Sequence, residues 1–250
     1  MPDTQNIDAP VVTMFNTPDL AGEPVNTLLY GERIKVLSEE GDAAKVQSEN
    51  DGYQGYIDAE LMAVHRAKTH KVVTPMTHLY EEPDFKAVPF VPLYMLSHVH
   101  ATDEKQNGFV KLGNGKWVFE GHLGTVDAVH YDYAEMALKF LYTPYVWGGR
   151  TAAGIDCSGL VQLCMNAAGV QCPRDTRDQM ALLGEDIGTK DPTKLRRGDF
   201  VFFERHVGIM LDKKLIVNAT SRHMSTVVEE LTTLIDAYKD ILIVRRMFQG

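Results

Sequence analysis

Residues 145–162 read Tyr-Val-Trp-Gly-Gly-Arg-Thr-Ala-Ala-Gly-Ile-Asp-Cys-Ser-Gly-Leu-Val-Gln. A glycine-containing loop here delivers one cysteine, Cys157, to the start of an apolar segment that runs on as Leu-Cys-Met-Asn-Ala-Ala and stops at Gly169. That pattern predicts a helix ended by glycine in the usual C-terminal position. A thiol at a helix start lies against unpaired N–H groups and the positive end of the dipole, which is expected to lower its pKa and populate the nucleophilic thiolate. The other two cysteines read differently. Cys164 sits between Leu163 and Met165 within the helix, and Cys172 precedes Pro173 after it. Both read as buried structural thiols, which behave as small hydrophobes.

Working outward, a thiol nucleophile needs a base. His206 opens the strand-like run His206-Val-Gly-Ile-Met-Leu, from which an imidazole can be aimed at a helix end. A three-residue turn over 211–213 would set His206 opposite Asn218, whereas a two-residue turn would shift the pairing by one. Asn218 is then the expected third member, orienting the imidazole. With nine histidines in the chain, a lone histidine carries little weight without this placement.

The remaining chain divides by texture. From Val126 onward the pattern is α plus β: a helix capped by Asp127 through about Leu141, the cysteine helix, then short strands at 199–203, 206–211, 215–218 and 241–247. Before it, β-rich runs at 33–37, 44–47, 55–57, 88–95, 109–112 and 116–120 alternate with turns and show no helical period. Pro18-Asp19 recurs as Pro83-Asp84, Lys45-Val46 aligns with Phe109-Val110, and Tyr53 with Trp117, at offsets of 64 or 65 residues. Two small β-barrels are therefore expected over 1–67 and 68–125, followed by a third domain over 126–250; one irregular β-domain is the alternative to the first two.

The 250 residues are 44% hydrophobic and 24% charged, a globular composition, and three cysteines exclude a fully paired disulfide framework. A net charge of −9 argues against a broad basic face for nucleic acid or anionic lipid. No run approaches the ~18 apolar residues that would span a bilayer. The opening MPDTQNIDAPVV has neither a basic nor an apolar leader region, which points to the cytoplasm; a chain stripped of a leader would instead work in the periplasm or envelope. With no CxxC, HxxxH or HExxH pattern, no metal or other cofactor is expected.

Four stretches in order, 145–162, Pro-Arg-Asp-Thr at 173–176, Arg-Gly-Asp-Phe-Val-Phe-Phe at 197–203 and His-Val-Gly-Ile at 206–209, resemble the NlpC/P60 family of cell-wall cysteine peptidases. The upstream modules resemble the bacterial SH3-like domains of its γ-D-glutamyl-L-diamino acid endopeptidase subgroup. The resemblance implies an α+β fold: a papain-like catalytic domain preceded by two SH3-like barrels. It also implies hydrolysis of the bond between γ-D-glutamate and a diamino acid in peptidoglycan stem peptides bearing a free N-terminal L-alanine. By position, Cys157 would be nucleophile and His206 base, with Trp147, Asp156, Ser158, Arg174 and Thr176 lining the site. Tyr53, in Asp-Gly-Tyr-Gln-Gly-Tyr, resembles the tyrosine that reaches from the SH3-like module, and Glu23 an acidic residue that pairs with the substrate amine.

Several points stay open on the sequence. The family usually has histidine where Asn218 stands, with His223 as a second choice. Asp156 and Asp19 compete with Glu23 for the amine. Arg174 either meets the D-glutamate α-carboxylate or forms a structural ion pair with Asp175. A catalytically degenerate peptide-binding protein, resting on Asn218, and an amidase or acyltransferase with the same Cys/His chemistry are the competing functions. Oligomeric state is left open.

Overall fold

Short apolar-alternating segments joined by glycine turns dominate the first half, and the computed structural model, which describes residues 4–247, folds them into antiparallel sheets. The chain separates into two compact units, residues 1–128 and 129–250. The first contains β1 (Thr4–Ile7), β2 (Val11–Phe15), β3 (Pro24–Leu29), β4 (Arg33–Glu40), β5 (Ala43–Ser48), β6 (Gln54–Asp58) and β7 (Met62–Val64) in one sheet, ordered β3-β2-β6-β5-β4-β1-β7. Val12 and Met14 point inward from β2 while Thr13 points out, as a period of two demands. They join Leu28, Ile34, Val46 and Ile57 in a dry core. A bulge between Val36 and Ser38 interrupts the β4–β5 pairing and leaves Leu37 exposed.

The same unit continues with β8 (His70–Val72), β9 (Met76–Tyr80), β10 (Pro89–Tyr94), β11 (His98–Val99), β12 (Ala101–Gln106), β13 (Phe109–Leu112), β14 (Trp117–Phe119) and β15 (Leu123–Thr125). They form a five-stranded and a three-stranded sheet around Val72, Leu79, Leu93, Val110 and Val118. The repeat seen in sequence has a structural counterpart: β6, a 3₁₀ turn and β7 recur as β14, a 3₁₀ turn and β15. Gly31 connects the two sheet systems. Its φ of +78° and the His98 carbonyl oxygen against the site of a Cβ leave room only for glycine, and the neighbouring Tyr30 carbonyl accepts the His98 N–H at 2.7 Å.

The second unit holds α1 (Tyr133–Leu138), the two-residue strands β16 (Arg150–Thr151) and β17 (Gly154–Ile155), α2 (Cys157–Ala167), α3 (Thr176–Leu182), β18 (Glu185–Asp186), β19 (Phe200–Phe203), β20 (His206–Met210), β21 (Leu215–Thr220), β22 (Ser225–Glu230), α4 (Leu231–Tyr238) and β23 (Ile243–Arg246). Its main sheet runs β18-β23-β19-β20-β21-β22. All four residues of β19 are buried, because helices cover both faces: Phe200 stacks on Tyr133 of α1, while Val201 and Phe203 pack with Leu231 and Leu234 of α4.

One expectation about the helices changes and one is met. α1 begins at Tyr133, not after Asp127, because Asp132 is the cap and accepts the Glu135 N–H at 2.9 Å. Asp127 lies in the first unit, where its charge faces Lys71. Helix α2 ends at Ala167, and Gly169 at φ +78° completes a Schellman turn through Val170 N–H to Met165 O and Gly169 N–H to Asn166 O.

Candidate active site

The site is built around the first turn of α2. Asp156 caps the helix by accepting the Gly159 N–H at 2.7 Å, and its other oxygen accepts the Gly148 N–H at 2.8 Å, tying the glycine loop to the helix start. Gly159 has a steric reason: a Cβ there would collide with the Gly149 carbonyl oxygen. Cys157 is thereby held at the first helical position, buried, with Sγ 3.9 Å from Thr176 Oγ1 at the start of α3.

Asp156, Ser158 and Arg174 form one closed cluster. Arg174 donates to Asp156 Oδ1 at 3.0 Å, Asp156 Oδ2 at 2.5 Å and Ser158 Oγ at 2.8 Å, and Ser158 donates to Asp156 Oδ1 at 3.2 Å. The side chains of Arg174 and Asp156 are only 2% and 6% exposed. Arg174 therefore makes a buried ion pair, and its acid is Asp156 where sequence reasoning considered Asp175. Gln179 of α3 adds bonds to the Ser158 and Pro173 carbonyls at 2.9 and 2.8 Å, which hold the strand-like 172–175 segment beside α2.

His206 occupies the first position of β20, and its Nε2 lies 3.0 Å from Asn218 Oδ1. The register differs from the expected one. Ile209 faces Val217 and Met210 faces Ile216, so Asn218 stands across from Gly208, two residues from His206. The turn still has three residues but sits one place later, over 212–214: Leu211 donates to the Leu215 carbonyl at 2.8 Å, and Asp212 accepts the Lys214 and Leu215 N–H groups at 2.7 Å. An even shift leaves both side chains on one face, and they meet diagonally.

Behind Asn218 stands a group that the sequence did not flag. Asn218 Nδ2 donates to Glu229 Oε1 of β22 at 3.0 Å, and Arg222 pairs with the same oxygen at 2.5 Å. Tyr238 of α4 stacks on the His206 ring at 4.5 Å and 10°. His223 is half exposed and lies 3.7 Å from the other Glu229 oxygen, so Asn218 is the group bonded to His206. Glu229, Arg222 and Tyr238 carry no motif signal; strand pairing and the packing of α4 bring them in.

The electrostatics reverse one expectation. Burial, then the Asp156 carboxylate, push the Cys157 thiol up to about 11, against opposing contributions from Thr176, the Val207 amide and Arg174. Burial likewise pushes His206 down to about 4; the Arg222 charge acts the same way, while Asn218 and Glu229 oppose it. Both shifts run toward the neutral forms, thiol and imidazole, rather than toward a preformed thiolate. Tyr145, beside the loop, is raised by burial and by Cys157 and Asp156, and so remains a protonated donor.

Trp147 is 47% exposed on the loop tied to Asp156. Tyr53, Glu23 and Asp19 belong to the first unit. Tyr53 packs partly buried against the β1–β7 core, Glu23 is exposed, its carbonyl accepting the Asn16 N–H and its N–H donating to Asn16 Oδ1, and Asp19 accepts the Thr17 hydroxyl at 2.7 Å and the Ala21 N–H at 3.1 Å. Among the described residues, no group of three or more His, Cys, Asp or Glu could hold a metal ion.

A cysteine at a helix start, beside a sheet histidine bonded by a side-chain amide, defines the papain-like class of cysteine peptidases. Within that class, residues 142–242 match the NlpC/P60 family, and residues 14–60 match the bacterial dipeptidyl-peptidase Sh3 domain. It is similar to dipeptidyl-peptidase 6 of Lysinibacillus sphaericus, at 26% identity over 85% of this chain and 86% of that protein. It is also similar to the gamma-D-glutamyl-L-lysine dipeptidyl-peptidase of Bacillus subtilis, at 26% identity over 88% and 80%. Among solved structures, an NlpC/P60 family protein from Bacillus cereus shares the fold, with TM-score 0.83 at 19% identity over 98% of this chain and 100% of that one. The fold is α+β, with a papain-like domain following SH3-like β-modules.

Proposed function

We propose that the protein hydrolyses the γ-D-glutamyl-diamino acid bond of peptidoglycan stem peptides with a free N-terminal L-alanine, in muropeptide recycling or cell-wall turnover. Residues 1–67 and 68–125 are assigned as the SH3-like modules and 126–250 as the catalytic domain. The observation that carries the chemistry is the 3.0 Å hydrogen bond between His206 Nε2 and Asn218 Oδ1, together with a buried cysteine at the start of α2. The names of relatives that span most of the chain support the substrate class.

Asn218 accepts from Nε2–H, which leaves His206 Nδ1 with its lone pair as the base. In the first step Nδ1 takes the Cys157 proton as Sγ attacks the γ-glutamyl carbonyl carbon. The oxyanion is stabilised by the Cys157 backbone N–H at the start of α2 together with a second donor. Collapse breaks the C–N bond, and the imidazolium gives its proton to the leaving amine. Water, deprotonated by the same nitrogen, then cleaves the thioester and restores the thiol. A neutral pair suits this sequence, since proton transfer is coupled to attack and neither Cys157 nor His206 carries an uncompensated buried charge at rest.

Arg174 is satisfied by Asp156 and Ser158, which supports the structural reading for it: it holds the nucleophile's cap in place. Within the C-terminal unit, Asp156 is the carboxylate assigned to the substrate ammonium, and Trp147 and Thr176 are the residues assigned to the cleft. The degenerate-binding alternative rested on asparagine at 218, and the bond of Asn218 to His206 favours catalysis. The test is hydrolysis of L-Ala-γ-D-Glu-diamino acid against its N-acetylated form, followed by mass spectrometry. Cleavage at the γ-glutamyl bond with strong loss on acetylation is expected; equal rates would remove the free-amine requirement.

A further inference from the structure

An asparagine serves as an orienting residue only if its amide faces the right way round. The oxygen and nitrogen ends of Asn218 are nearly the same shape, yet they ask opposite things of His206. With Oδ1 toward the ring, Nε2 carries the proton and Nδ1 is a free base. With the NH₂ end toward the ring, Nε2 must accept, the proton moves to Nδ1, and the base is lost. Packing alone does not separate the two.

We propose that Glu229 is a positioning residue for the Cys157/His206/Asn218 site, selecting the amide orientation of Asn218 and, through it, the catalytic tautomer of His206. An ionised carboxylate only accepts, and Glu229 Oε1 lies 3.0 Å from Asn218 Nδ2. Turning the amide over would set Oδ1 against that oxygen, two acceptors facing each other. Arg222, at 2.5 Å, keeps the carboxylate charged: burial opposes ionisation, but the bonds from Asn218 and Arg222, with the Arg222 and His223 charges, hold Glu229 below the ordinary value. Arg222 also lies over the Tyr238 ring, 5.6 Å from its centroid, and Tyr238 stacks on His206. The chain Arg222, Glu229, Asn218, His206 thus runs from the protein surface to the base, and it accounts for how asparagine works where the related enzymes usually have histidine.

The role of Glu229 in turnover rests on the peptidase reading above, but the tautomer does not, so the two can fail separately. The direct readout is the tautomer of His206 in the full-length protein, from ¹H–¹⁵N correlation spectra of ¹⁵N-histidine-labelled samples, assigned with H206Q. Wild type should show the Nε2–H form. E229M, which keeps the side chain's length without an acceptor, should show mixed or Nδ1–H forms, with kcat lower by about 10- to 100-fold and KM within about twofold. E229Q retains an oxygen that can accept from Asn218 and should recover most of the loss. In an N218A background E229M should cost little more, because the link to His206 is already cut. An E229M protein with the wild-type tautomer, or an E229Q protein as impaired as E229M, would overturn the proposal. If E229M does not fold, wild-type and E229Q spectra still decide: loss of the Nε2–H form in a folded E229Q protein contradicts the proposal, and its retention supports it. Absence of peptide cleavage by a wild-type protein with the expected tautomer would count against the substrate reading alone.

Discussion

The two units bury polar side chains for different purposes. In the N-terminal unit they close the backbone. Asn6 donates to the Gly31 carbonyl at 2.8 Å and accepts the Arg66 N–H at 2.9 Å, and Glu32 accepts the Leu29 N–H at 3.0 Å across the same turn. Each satisfies a main-chain group that a barrel's tight corner would otherwise strand. In the C-terminal unit Gln162 and Gln179 serve carbonyls in the same way, but the groups nearest the thiol bind one another: Arg174 with Asp156 and Ser158 on one side of α2, and His206 with Asn218 and Glu229 on the sheet side. Side chains that pair among themselves beside a buried thiol specify chemistry. Those that serve the backbone specify shape.

Breaking the first network should have the largest effect on stability. R174M leaves the Asp156 carboxylate buried and unpaired, and its cost to the C-terminal unit is expected at about 3–5 kcal/mol, read by denaturant unfolding followed through that unit's signals. A loss below about 1 kcal/mol would mean that Asp156 is solvated or protonated instead.

A smaller effect is expected from pH. His206 is held at about 4 against an ordinary 6.5, so the unfolded chain binds its proton more readily than the folded one. Stability from this group is complete above about pH 6.5 and is lost as pH falls toward 4, by about 3 kcal/mol in all. The groups facing the ring are Tyr238, Asn218, Arg222 and Glu229. H206Q should flatten this slope in a pH series of unfolding curves; an unchanged slope would place the titration elsewhere.

The smallest is expected where the comparison predicts no chemistry. N6A uncovers the buried Gly31 carbonyl and the Arg66 amide, at about 1–2 kcal/mol, with kcat unaltered. A change in turnover beyond the loss of folded protein would blur the distinction between the units.

Much of this was legible in residues 145–162. The apolar helix, its cysteine start and its Gly169 stop depend on local rules of capping and periodicity, and those are written in adjacent residues. The strand runs read at 33–37, 109–112 and 199–203, which the structure forms at 33–40, 109–112 and 200–203, were readable for the same reason. What escaped depended on distant partners. α4, Leu-Thr-Thr-Leu-Ile-Asp-Ala-Tyr, is short and rich in β-branched residues, so it holds as a helix by packing Leu231 and Leu234 on the sheet. β22 ends in two glutamates, and nothing near them in sequence marks Glu229 as the partner of Asn218. The thiol's expected depression failed on the same ground: the helix start was read correctly, but full burial and the adjacent Asp156 outweigh it. Site membership could be read from motifs, whereas the protonation states needed the three-dimensional neighbourhood.

The central claim is that Cys157 is the nucleophile of a γ-D-glutamyl peptidase, and turnover of L-Ala-γ-D-Glu-diamino acid by C157A tests it most directly. With folding confirmed, the variant should lose about 10⁴-fold or more of wild-type kcat, since no other group in the site can form the thioester. Turnover by C157A at close to the wild-type rate would contradict it.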